Sequence, residues 1–267
     1  MKRPIGVFDS GVGGLSVLRH IWRELPFEDV VYVADQANLP YGPQSAENIR
    51  RYAHQITQYL LTHHHCKLIA IPCNTATAKA LNFLREQFPD VPIVGIEPAV
   101  KPGARATQSG KVGILATIGT FKSQRYASLM HRYAVGVELF ENPCVGLVPL
   151  IEAGKLDDVE TEGLLRPILT PMLQQNVDTL VLGCTHYPFV MPLLQRMVGD
   201  DVAIIDPAPA VARQVRRMVE THCEQAVPGV GVTRFFTTGD PIQFATQIAN
   251  LLNRQPLVRQ LTLSESL

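Results

Sequence analysis

The sequence predicts an α/β protein of two similar, doubly wound lobes with mostly parallel sheets, facing each other across a cleft and related by a pseudo-two-fold internal repeat. Three observations lead there. Short apolar runs alternate with helically spaced segments along the chain, the pattern of parallel sheets. Two of those runs, in LIAIPCNTAT from Leu68 and TLVLGCTHYP from Thr179, end in a breaker followed at once by a cysteine and small polar residues. The spacing also recurs, since Asp9 and Cys73 are 64 positions apart and Thr117 and Cys184 are 67 apart. A repeat this long is a duplicated domain, because solenoid units run about 20–50 residues.

The elements follow in order. An apolar run over 4–8 reads as a strand, and DSGVGG at Asp9–Gly14 as a glycine-rich loop. Leu15, Leu18, Ile21, Trp22 and Leu25 have helical spacing, with Trp22 on the apolar face and expected in the core. A strand over 30–33 ends at Asp35, and QANLPYGP at 36–43 is irregular. A helix over 46–61, a strand over 68–71, a helix over 76–88 and a strand over 93–96 complete the first half. The second half opens with a strand over 111–115 and a polar loop over 116–120. A helix over 121–133, a strand over 137–140, and a loop or short helix over 143–154 follow. Then come a helix over 160–174, a strand over 180–182, a helix over 191–198 and a strand over 202–205. Amphipathic helices over 210–223 and 242–252 are expected to pack back on the first lobe. That gives a discontinuous lobe of 1–97 plus 207–267 and a second of 98–206. The stretch 254–267 has no pattern and is expected to be a loose tail.

Composition narrows the function. The 267 residues are 46% hydrophobic, ample for a large core. Twenty-four Lys and Arg balance 24 Asp and Glu, so no basic excess marks a nucleic-acid binder. No apolar run approaches the ~20 residues of a membrane span, and the N-terminus turns polar too early for a signal peptide. Five cysteines in a chain of this size point to reduced thiols and a cytoplasmic protein. No Cys/His spacing fits a metal site. His63, His64 and His65 are adjacent and point different ways on a helix, so they read as a solvated helix end. Cys66, Cys144 and Cys223 read as packing residues, the commonest role of a free cysteine.

Cys73 and Cys184 differ in sitting in matched, polar, strand-end settings that favour reactive thiols. Two such thiols suit a redox disulfide, an acyl-transfer nucleophile, or an acid/base pair on opposite faces of a substrate. The last fits an isomerase inverting a stereocentre, one thiolate removing an α-proton and the other thiol delivering one. DSGVGG lacks both the dinucleotide fingerprint and the P-loop lysine. Its backbone amides are instead available to hold a carboxylate.

FDSGVGG at Phe8–Gly14, PYG at Pro40–Gly42, CNTA at Cys73–Ala76 and GCTHYP at Gly183–Pro188, in that order, resemble the bacterial glutamate racemase family of the aspartate/glutamate racemase superfamily. The likeness covers about the first 210 residues. It implies conversion of L-glutamate to D-glutamate for peptidoglycan synthesis with no cofactor and no metal. It implies that Cys73 serves the D-enantiomer with Asp9 assisting, and that Cys184 serves the L-enantiomer with His186 assisting. Glu152 in VPLIEAG matches an acidic position supporting the second side, and Ala153 stands where the family usually has a second acid. Asp9, Ser10, Tyr41, Gly42, Asn74, Thr75, Thr185 and His186 are expected to hold the substrate, with Thr117 and Thr120 as further candidates. Some members of the family pair as homodimers or respond to a UDP-linked muramyl precursor, so those are the partners implied besides glutamate.

Overall fold

The computed structural model describes residues 3–263, and the chain divides into two compact units, Met1–Ile96 with Ala208–Leu267, and Glu97–Pro207. The first unit begins with β1 (Ile5–Asp9), α1 (Leu15–Glu24), β2 (Val30–Ala34), α2 (Ala46–His64), β3 (Leu68–Ile71), α3 (Asn74–Gln87) and β4 (Ile93–Gly95). The second contains α4 (Val100–Ala106), β5 (Lys111–Ala116), α5 (Ile118–Phe121), α6 (Gln124–Tyr133), β6 (Glu138–Asn142), α7 (Leu147–Glu152), α8 (Val159–Gln174), β7 (Thr179–Gly183), α9 (Met191–Val198) and β8 (Ala203–Ile205). The chain then returns to the first unit with α10 (Ala208–His222), β9 (Thr233–Thr237), α11 (Pro241–Leu252) and β10 (Val258–Gln260).

The first sheet has the order β10-β9-β2-β1-β3-β4 and the second β6-β5-β7-β8, with parallel pairing throughout. Strands β1–β4 and β5–β8 therefore share one topology, and the internal repeat is a repeat of strand order. Strands β1, β2, β3 and β7 are buried at every position, which is why they read as unbroken apolar runs.

Helices cover both faces of each sheet. In the first unit α2 packs on α3, while α1 packs on α10 and α11. Phe8, Val31, Val33, Ile69 and Ile71 meet Ile49, Ala53, Ile56 and Leu84 on the α2–α3 side. In the second, Val112, Ile114, Ala116 and Val181 pack with Val100 and Tyr126 from α4 and α6. The chain leaves β1 toward β2 on one side, and leaves β3 toward β4 on the other. β5 and β7 part in the same way. Each such pair is a topological switch point, where the loops after adjacent strands separate and open a crevice at the carboxyl edge.

Several elements differ from the sequence-based expectation. Helix α4 and strand β9 carry no clear apolar period. The stretch expected to be a loose tail carries β10, whose Val258–Gln260 pair in parallel with Phe235–Thr237, while 264–267 lie outside the described residues. A three-residue edge strand is ordered by its main-chain ladder, which leaves no trace in side-chain alternation. The loop expected at 116–120 tightens into α5, opened by Thr117, whose hydroxyl accepts the Thr120 amide. Trp22 is half-buried and not in the core. Its indole N–H donates to Thr233 Oγ1 at 2.8 Å and Arg254 stacks 4.3 Å over its ring, so it forms the seam between α1 and the C-terminal elements. The histidine run ends α2, with His65 left-handed as its C-cap.

A buried ion pair ties the amino edge of the first sheet. Lys67 Nζ lies 2.7 Å from Glu28 Oε2, both side chains about 5% exposed or less. Lys67 also donates to the Glu224 carbonyl, and Glu28 Oε1 accepts the Ala226 amide at 2.9 Å. Three distant segments thus meet at one pair. Lys67→Met leaves Glu28 as an uncompensated buried charge, a loss of about 3–5 kcal/mol. Urea unfolding followed by circular dichroism should show a lower midpoint, with part of the loss recovered in Lys67→Met/Glu28→Gln.

Candidate functional site

In the first unit the crevice opens between the loops after β1 and β3. Asp9, the last residue of β1, is fully buried. Its carboxylate accepts the Ser10 amide at 2.6 Å, the Ser10 hydroxyl at 3.2 Å and the Gly14 amide. Two amides of the glycine-rich loop, expected to be free for a ligand carboxylate, are thus folded around Asp9 itself. A Cβ at Gly14 would lie 2.6 Å from Tyr32 Oη and 2.9 Å from Pro72 Cγ, so only glycine lets the loop close this tightly.

After β3, Pro72 stops the strand and Cys73 caps α3, its sulfur accepting the Ala76 amide at 3.4 Å. A thiol at a helix N-terminus is poised to ionise, because the terminal amides favour negative charge. The Cys73 thiol lies 3.9 Å from Ser10 Oγ. Asn74, with Oδ1 and Nδ2 both buried and without a protein partner, and Thr75 follow it. Tyr41, from the irregular loop after β2, donates to Asp35 Oδ2 at 2.5 Å. Burial, together with negative charge at Asp35, Cys73 and Asp9, holds its hydroxyl well above the ordinary value, so the phenol stays a donor. Gly42, next to it, is half-buried.

The second unit repeats the arrangement between the loops after β5 and β7. Thr117 and Thr120 follow β5, their hydroxyls 3.1 Å apart. Gly183 ends β7 opposite Ala116 of β5. Cys184, Thr185 and His186 come next, each 6% exposed or less. His186 Nδ1 is 3.8 Å from Cys184 Sγ, and Nε2 is 2.7 Å from Glu152 Oε1 at the end of α7. Burial alone pulls the imidazole pKa down. Hydrogen bonds to Cys184 and Glu152, with their negative charge, outweigh it and hold the ring well above its ordinary value. His186 therefore holds its proton more tightly than a free imidazole, between the Glu152 carboxylate and the Cys184 sulfur.

Within each unit the expected residues converge: Asp9, Ser10, Tyr41, Cys73 and Asn74 in one, Glu152, Cys184 and His186 in the other. Among the described residues no three His, Cys, Asp or Glu side chains form a group able to hold a metal ion. Asp35 was not singled out from sequence. It is fully buried at the end of β2 and accepts from Tyr41, Asn38 and Thr238, and burial raises its carboxyl while these donors oppose the shift. Its only sequence signal is an acid closing an apolar strand. Cys66 and Cys144 are buried thiols, each pushed by burial up to about 12, and Cys223 is half-buried.

Residues 5–215 match the family model described as Asp/Glu/Hydantoin racemase. A glutamate racemase of Pseudomonas paraeruginosa is 50% identical over 258 residues, 97% of each chain. The crystal structure of Escherichia coli glutamate racemase, in complex with L-glutamate and the activator UDP-MurNAc-Ala, superposes with a TM-score of 0.86 at 32% identity, covering 98% of this chain and 99% of that one. That of Francisella tularensis glutamate racemase with D-glutamate gives 0.85 at 29% identity, covering 99% of both.

The histidine clamp makes a direct prediction. Glu152→Gln removes the carboxylate charge facing Nε2, and the His186 pKa should fall toward its ordinary value, read from its imidazole C–H resonances in an NMR titration. Because folded His186 titrates above its unfolded value of about 6.5, its stabilisation is complete below that pH and is lost as pH rises through the folded value. The variant's deficit in urea midpoint should accordingly be larger at pH 6 than in alkaline buffer.

Proposed function

The chain belongs to the Asp/Glu/Hydantoin racemase family and is an amino-acid racemase, and from that premise we propose that it interconverts L-glutamate and D-glutamate with two cysteines and no cofactor. The observation that carries the proposal is the matched placement of Cys73 and Cys184. Each thiol follows a central strand at the switch point of its own unit, beside a partner able to exchange its proton or stabilise its charge.

Inverting an α-carbon requires a base on one face and an acid on the other. In the L-to-D direction the Cys184 thiolate takes the α-proton and becomes a thiol, while the Cys73 thiol gives a proton to the opposite face and becomes a thiolate. The reverse direction exchanges the roles. The α-proton is far less acidic than a thiol of pKa about 8.5, so carbanion-like charge must be met by dipoles already in place. The α3 N-terminus favours the Cys73 thiolate, and the His186 imidazolium favours that of Cys184. On the first side Asp9 accepts from the Ser10 hydroxyl that neighbours Cys73 and would assist that thiol, and on the second Glu152 fixes His186.

Glutamate carries two carboxylates and an ammonium, which suits a shell of neutral donors and acceptors. Asn74 supports this assignment most directly, because its buried amide has both a donor and an acceptor free for ligand. Ser10, Tyr41, Gly42, Thr75, Thr117, Thr120, Thr185 and His186 complete the proposed shell. No helix of the described residues is long and apolar enough to cross a membrane. We place the enzyme in the cytoplasm, where D-glutamate feeds peptidoglycan synthesis.

Proton NMR of L-glutamate with the purified protein in D2O, without added cofactor, tests the reaction. Deuterium should enter Cα as D-glutamate appears. Exchange into aspartate alone would make the substrate aspartate, and exchange into neither, with and without added UDP-linked muramyl precursor, would leave a non-catalytic binding protein. Cys73→Ser and Cys184→Ser should each lower racemisation by about 10²–10⁴-fold, and full turnover in either variant would sink the two-thiol mechanism. Asn74→Ala should raise KM for both enantiomers.

A further inference from the structure

The residues assigned to the reaction all lie within 9–186, yet the loop that presents Tyr41 is held by a segment far beyond them. Thr237 ends β9, Thr238 follows in the turn after it, and Gln247 lies in α11, all outside the residues 5–215 of the family match. Thr237 Oγ1 donates to Gln36 Oε1 at 2.9 Å, and Gln36 Nε2 donates to Gln247 Oε1 at 2.8 Å. The Thr238 hydroxyl makes two bonds at once, donating to Asp35 Oδ1 at 2.7 Å and accepting the Ala37 amide at 3.1 Å. Its own amide bonds the Ala34 carbonyl at 3.0 Å, which pins the residue to the end of β2.

Asp35 passes this hold on. Its side chain is fully buried, and its amide bonds the Asp9 carbonyl at 2.8 Å. Oδ1 accepts from Thr238, Oδ2 accepts the Tyr41 hydroxyl at 2.5 Å, and Asn38 Nδ2 is 3.1 Å from both. A carboxylate is a rigid plane, so a bond to one oxygen fixes the rotation that aims the other. The Tyr41 ring also lies 6.0 Å from the Tyr52 ring, an apolar contact that leaves the aim of the hydroxyl to Asp35.

We propose that Thr238 is a positioning residue for substrate binding, holding Tyr41 in place through the two oxygens of Asp35. The inference rests on the place of Tyr41 in the proposed substrate shell. Thr238 acts two bonds away from that shell and on neither thiol. Its loss therefore weakens the hold on substrate and transition state alike, for both enantiomers, and raises KM without lowering kcat. A merely structural role would instead lower stability and leave the affinity of the folded enzyme as it was.

The test is a double-mutant cycle on racemisation by the full chain. Thr238→Val keeps the side-chain shape and removes both hydroxyl bonds. It should raise KM for L- and D-glutamate by about five- to tenfold, with kcat little changed. Thr238→Ser keeps the hydroxyl and should leave KM near that of the unaltered enzyme. Tyr41→Phe severs the same chain of bonds and should raise KM alike, and Thr238→Val added to it should raise KM no further. A Thr238→Val effect of the same size with and without the Tyr41 hydroxyl overturns the inference. So does a Thr238→Ser variant as impaired as Thr238→Val, or a loss confined to kcat. An unchanged KM in Thr238→Val beside a raised KM in Tyr41→Phe overturns it too, and leaves Tyr41 in the shell. An unchanged KM in Tyr41→Phe removes Tyr41 from the shell, and the inference falls with it.

Discussion

The structure depends on one constraint, the parallel pairing of two central strands from which the chain departs in opposite directions. Parallel strands put all their carboxyl ends on one edge. If successive connections continued to one side, their loops would lie over one another. Because β1 and β3 lead outward to opposite edges, the loops after them part, and the same holds for β5 and β7. Asp9, Cys73, Thr117 and Cys184 occupy those four loops. The strand-end cysteine of each unit is thus placed by strand order, at the same position in both sheets.

Much of this was legible because the signals were strong and local. Fully buried parallel strands leave runs such as LIAI and TLVLG, and the breaker after each marks the carboxyl end. The His186–Glu152 contact links residues 34 apart. From sequence it rested on resemblance alone, since nothing in VPLIEAG says which way Glu152 points. The features that escaped were held by backbone or by distant partners. β10 is recruited by the β9 ladder, and Asp35 is defined by three donors, one of them from Thr238, about 200 positions on. Trp22 scored as core by its helical spacing, but its indole N–H required a partner, and that partner lies at Thr233.

The two thiols are tuned by different means. Cys73 sits on the first turn of a 14-residue helix, whose aligned peptides act as a fixed fraction of positive charge. Cys184 does not cap a helix: a 3-10 turn, Tyr187–Val190, lies between it and α9. The His186 ring, its pKa raised and its Nε2 held by Glu152, stands beside that thiol instead. The difference matters for reversibility. In the proposed two-thiol mechanism either thiol serves as base, so the two thiolates need comparable free energies, although one would be favoured by backbone and the other by a titratable ring.

The same contrast explains why the first unit carries two extra strands. Its site includes a long irregular loop, 36–43, that presents Tyr41, and such a loop has no ladder of its own. β9 and the turn after it supply the brace. The Thr238 amide bonds the Ala34 carbonyl, and its hydroxyl donates to Asp35 while accepting the Ala37 amide. Asp35, held on one side by Thr238, then fixes the phenol of Tyr41 on the other. In the second unit the matching strand, β6, leads through only four residues, 143–146, into α7, and the sheet has four strands. The return of the chain after α10 therefore helps hold the 36–43 loop, reaching Tyr41 through the two carboxylate oxygens of Asp35.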